Sequence, residues 1–67
     1  MPVISMEIGK LPNEQKTRLI QQLSQTAASI TNIPLAAFTV IINELEDTNI
    51  GIGGKTIGQL KAEAGDR

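Results

Sequence analysis

The sequence predicts an α/β fold: a single β-α-β unit with parallel strands plus a short C-terminal hairpin, assembled as a homo-oligomer. Three observations carry that prediction. Two strand-like segments flank one long amphipathic helical pattern, and a glycine-rich turn follows the second strand. Two strands and one helix also cannot cover both faces of a sheet, so exposed edges and the open face must meet other copies. A crossover helix of about five turns spans the sheet, which makes the strands parallel and the connection right-handed.

Taken in order, Val3-Ile4-Ser5-Met6-Glu7-Ile8 mixes β-branched residues with an alternation that puts Ser5 and Glu7 on one face, the pattern of a strand. Gly9-Lys10-Leu11-Pro12 breaks it. Pro12 suits a first helical turn, where a missing N–H costs nothing, Glu14 suits the positive end of the dipole, and Asn13 is an alternative cap. Leu19, Ile20, Leu23, Ala27 and Ile30 then trace one helical stripe. Asn32 can take the left-handed conformation that ends a helix, and Pro34 prevents its resumption. After a tight turn at Pro34-Leu35-Ala36-Ala37 comes the second strand, Phe38 to Leu45, whose Val40-Ile41-Ile42 run suits burial on both faces. Glu46-Asp47-Thr48-Asn49 is a polar loop, and the tail from Lys55 to Arg67 is only weakly helical. The whole is one domain, 1–67, with a core of about residues 2–57 and a tail at 58–67.

Sixty-seven residues allow one small core. A chain of this size buries only about 60% of the surface its unfolded form exposes, and small domains compensate with disulfides, a metal or oligomerisation. There is no cysteine and no histidine, which removes disulfides, zinc sites of the usual kind, thiol nucleophiles and imidazole acid–base chemistry. Oligomerisation is the route left. A net charge of −1 and a single aromatic, Phe38, give neither a basic face for phosphates nor a stacking platform, so nucleic acid is not an expected partner. No apolar run reaches the roughly 18 residues of a membrane span and no signal-peptide pattern precedes the fold, so the expected setting is the cytoplasm.

Gly51-x-Gly53-Gly54 invites a phosphate-loop reading, but the glycine required five residues before Gly54 is Asn49. A hairpin turn, in which glycine supplies positive φ, accounts for it better. Seven carboxylates, four lysines, two arginines and the N-terminus remain as acid–base candidates. Glu44, Glu46 and Asp47 read as a solvated acidic turn; Lys16 and Arg18 read as surface residues of the helix. Pro2 differs in kind. Once Met1 is removed, its nitrogen is a rigid secondary amine, and burial among aliphatic side chains such as Val3, Ile50 and Ile52 lowers the pKa of such an amine toward the range of a working base.

Met1-Pro2, Val3 to Ile8, Glu14-Gln15-Lys16, Val40-Ile41-Ile42-Asn43-Glu44 and Asn49-Ile50-Gly51-Ile52-Gly53-Gly54 together resemble the 4-oxalocrotonate tautomerase family, over residues 2 to about 57. The resemblance implies β-α-β subunits paired into dimers that commonly form a hexamer. It also implies an isomerase without cofactor or metal, in which the amino-terminal proline, here Pro2, is the general base of keto–enol proton transfer on an unsaturated oxo-acid. Lys10 stands where the family has a carboxylate-binding arginine after the first strand, in a loop one residue shorter. Thr39 stands in place of a second arginine, and Ile50 in place of a pocket phenylalanine, with Ile52 beside it. Loss of two guanidiniums points to a smaller or singly charged substrate. Two other readings are a non-catalytic, oligomeric small-ligand binder of the same fold, and a hydratase or dehalogenase in which Pro2 stays protonated.

Overall fold

The computed structural model describes residues 1–65; Asp66 and Arg67, the end of the predicted tail, lie outside the described residues. Strand β1 (Val3–Ile8) leads into helix α1 (Asn13–Thr31), which returns through a 3₁₀ turn at Leu35–Ala37 to strand β2 (Thr39–Glu44). β1 and β2 pair in parallel with a constant offset, from Val3 opposite Thr39 to Ile8 opposite Glu44. A second 3₁₀ turn, Asp47–Asn49, precedes a hairpin of β3 (Gly51–Ile52) and β4 (Lys55–Thr56), and helix α2 (Ile57–Glu63) follows directly. The β-α-β unit and the hairpin are thus as the sequence predicts.

Local chemistry explains the boundaries. Pro12 caps α1 in extended conformation, and Asn32, at φ 61°, ψ 22°, ends it in the left-handed region while donating its N–H to the Ala28 carbonyl. Gly53 and Gly54 have φ of 62° and 86°, both residues of the two-residue hairpin turn being left-handed, as its twist requires. β2 is shorter than predicted: Phe38 and Leu45 fall outside it, although the Leu45 N–H still donates to the Ile8 carbonyl at 2.8 Å. The tail is more ordered than predicted. Thr56 accepts from the Gln59 N–H while the Gln59 side chain accepts from the Thr56 N–H, a capping box that starts α2.

α1 covers one face of the sheet. Ile4, Met6 and Ile8 of β1 and Val40 and Ile42 of β2 are half-buried, as are Leu19, Leu23 and Ala27 of α1. The other face carries Val3, Ser5, Glu7, Thr39, Ile41 and Asn43 in the open. Ile41, expected to be covered on both sides, is therefore 44% exposed. Ile30 is 76% exposed although it continues the α1 stripe. The cause is length: nineteen helical residues rise about 28 Å, whereas six strand residues span about 20 Å, so the last turn overhangs the sheet. No described residue is fully buried. The Cα radius of gyration is 15.8 Å, against about 11 Å for a compact domain of this length.

Candidate active site

Because β1 and β2 are parallel, the sheet has two chemically different ends. Pro2 lies at the first. The register places it beside Phe38, and its carbonyl accepts the Thr39 N–H at 3.1 Å. The ring is half-buried. This end is built from the start of β1, the overhanging end of α1 and the entry to β2, and the chain from Leu19 to Asn43 carries no charged side chain. Met1, Val3, Ile30, Ile33 and Leu35 leave apolar surface exposed around it.

Lys10 lies at the other end, past Ile8. Extending the β1–β2 offset by two residues puts Lys10 opposite Glu46, and the two side chains pair at 2.8 Å. That carboxylate, by hydrogen bond and by charge, raises the Lys10 pKa above its ordinary value. Glu44, on the helix side of β2, holds the loop between β1 and α1: one oxygen accepts the Leu11 N–H at 2.9 Å and the other meets Lys16 Nζ at 3.1 Å. The Leu11 N–H first, and Lys16 second, hold the Glu44 carboxyl below the ordinary range. Asp47 pairs with Lys61 of α2 at 2.9 Å. The acidic turn expected to be merely solvated is thus a set of three ion pairs. Lys16, read as a surface residue, is one of its partners.

Ile50 and Ile52 belong to this same end, since the hairpin follows the exit of β2. Ile50 is half-buried and its carbonyl accepts the Ile57 N–H; Ile52 is 61% exposed on β3. Lys55 of β4 is bound to Glu63, and Thr56 caps α2, so Gly54-Lys55-Thr56 serves the hairpin and its helix. Of the predicted site residues, one chain therefore brings Pro2 and Thr39 together, with Val3 beside them. It brings Lys10, Ile50 and Ile52 to the opposite end, about 20 Å away along the strand. Ile50 and Ile52 do not wall Pro2 within their own chain. A separate cleft of about 270 Å³, lined by Ile8, Leu11, Gln15, Arg18, Leu19 and Gln22, holds none of the predicted residues.

The geometry defines a class: a small β-α-β subunit with a hairpin arm, one sheet face left open, and candidate residues that a single chain cannot unite. Comparison with known proteins supplies the family. A family model described as Tautomerase enzyme matches residues 2–60. The chain is 35% identical over 65 residues to a probable tautomerase of Helicobacter pylori strain J99, covering 91% of this chain and 96% of that one. It is 35% identical over 63 residues to a 2-hydroxymuconate tautomerase of Pseudomonas sp. strain CF600, with 91% and 98% covered. The solved structure of a heterohexamer 4-oxalocrotonate tautomerase from Chloroflexus aurantiacus J-10-fl superposes with a TM-score of 0.82 at 31% identity, over 90% of this chain and 98% of that one. The chain belongs to the tautomerase family, and its enzyme class is that of the isomerases. Among the described residues no helix is long and apolar enough to cross a membrane.

Proposed function

We propose that this chain, after removal of Met1, is a cofactor-independent tautomerase acting on a small enolisable oxo-acid, with the Pro2 nitrogen as general base. The observation that carries the reading is Pro2 itself: half-buried, tied to the sheet through its carbonyl, and set in an end of the molecule without charged side chains. Apolar, charge-free surroundings, once other copies cover them, penalise an ammonium and favour the neutral amine. Its lone pair takes the proton of the enol hydroxyl, and the resulting ammonium returns a proton to carbon, giving the ketone and restoring the amine. The match of the family model from residue 2 onward supports this placement.

Lys10 anchors the substrate carboxylate, and Ile50 and Ile52 supply apolar wall. Since these lie beyond the far end of β1, a strand about 20 Å long that starts next to Pro2, the working site takes Pro2 and Thr39 from one copy and Lys10 from another. Self-association also covers the exposed apolar face, in dimers built into a hexamer and located in the cytoplasm. Thr39 brings a hydroxyl rather than a charge to the Pro2 end, so the substrate carries one carboxylate in preference to the two of 2-hydroxymuconate.

The test is ketonisation of the enol of phenylpyruvate by Met1-free protein. Pro2→Ala, with the fold retained by circular dichroism, should lower kcat/KM by about 10²-fold or more. Unchanged turnover overturns the proposal. A non-catalytic binder of the same fold is the second reading; Thr39 and Ile50, standing where the family has an arginine and a phenylalanine, favour it. It predicts binding of phenylpyruvate with no ketonisation by the Met1-free protein.

A further inference from the structure

Lys10 faces a cleft of about 420 Å³ lined by Gly9, Leu45, Glu46, Asp47, Thr48 and Lys61. The carboxylates of this end are not equivalent. Glu44 is committed to the Leu11 N–H and Lys16, and Asp47 to Lys61. Glu46 is held by Lys10, with the two side chains 63% and 60% exposed for Lys10 and Glu46. An ammonium is a compact charge with three donors, so it can pass from one carboxylate to another without rebuilding the loop.

From these contacts we infer that Glu46 is an internal substitute for the substrate's carboxylate and sets charge specificity: an incoming anion must displace Glu46 from Lys10 or sit beside it. This rests on the reading of Lys10 as carboxylate anchor. Two carboxylates on one ammonium repel, and the repulsion grows with the charge of the ligand. A monoanion meets a modest obstacle, because an exposed pair is weak and readily exchanged. A dianion meets the same obstacle plus its second charge against Glu46. The β1–β2 offset that sets Lys10 opposite Glu46 is a property of the sheet, so the competition is built into the fold.

The experiment is calorimetric titration of the full-length protein with phenylpyruvate, its methyl ester and 2-hydroxymuconate, using wild type, Glu46→Gln, Lys10→Gln and the double variant. Glu46→Gln should tighten phenylpyruvate about two- to fivefold, the range of an exposed ion pair, and 2-hydroxymuconate by more. Glu46→Ala should act alike. The methyl ester should respond to neither variant, and the gain should vanish in the Lys10→Gln background. Unchanged affinity in Glu46→Gln, with weakened binding in Lys10→Gln, overturns the inference while leaving Lys10 as anchor. A gain that survives in the Lys10→Gln background overturns it in favour of a general charge effect. If Lys10→Gln itself binds as wild type does, the anchor reading fails and the inference with it. Absence of saturable binding overturns it as well. Because the readout is binding, these outcomes stand apart from whether Pro2 turns substrate over.

Discussion

The two ends of the β1–β2 sheet are built from the same pair of strands and are chemical opposites. At one, Pro2 sits among Phe38, Thr39 and exposed aliphatic side chains, with no charged residue between Leu19 and Asn43. At the other, Lys10, Lys16 and Lys61 are matched with Glu46, Glu44 and Asp47. Apolar surroundings of the first kind suit a neutral amine, and charged ones of the second kind suit an anion. On the proposed function, proton transfer and recognition belong to opposite ends of one strand, and association of copies would reunite them. If the proposed function holds, the division lets a chain with so few functional groups assemble a site without crowding a carboxylate against its base.

The strongest way to break the comparison is to prevent the ends from meeting. Ile41→Asp on the open sheet face buries an unpaired carboxylate in any assembly that covers that face. Size-exclusion chromatography with light scattering should show the mass of a single chain, and ketonisation should be lost with it; an intact oligomer would argue that this face stays in solvent. Next in size is Thr39→Arg, which gives the uncharged end a guanidinium. Affinity for 2-hydroxymuconate should rise about tenfold, the worth of one charge-assisted hydrogen bond, with a smaller gain for phenylpyruvate. Equal gains for both would show that the added cation does not read the second carboxylate.

The smallest effect concerns Glu44, whose carboxyl the Leu11 N–H and Lys16 hold below its ordinary value of 4.5. Its folded pKa is depressed, so its stabilisation is complete above 4.5 and disappears as pH falls through the lower folded value. The Tm advantage of wild type over Glu44→Gln should be largest near neutral pH and vanish once pH has fallen below the lowered folded value. A difference that does not change with pH would mean that the carboxylate's charge contributes nothing to holding the loop.

Much of the fold was readable because its signals are local. Alternation over Val3 to Ile8, Asn32 followed by Pro34, and the paired glycines each specify backbone within a few residues. α2 was underestimated because Ile57 and Leu60 give too little apolar periodicity; the missed signal was the capping box, Thr56 followed three residues on by Gln59. Ile30 continues the helical stripe by its phase, but phase says nothing of where the strands stop. At the candidate site, Pro2 and Lys10 were visible as residue types, whereas the partners of Lys10 and Lys16 were not. Those pairings are long-range, Lys10 to Glu46 across the strand offset and Lys16 of α1 to Glu44 of β2, and emerge only once the fold is known.

The Thr39 N–H holds Pro2 by its carbonyl, a contact that does not involve the ring nitrogen. Proline brings no N–H of its own to the ladder, so its nitrogen owes nothing to the sheet. Excision of the preceding methionine would then convert an amide into an amine without shifting the ring from its mooring. Maturation of this protein, on that view, is a change of chemistry at a fixed point rather than a rearrangement of shape.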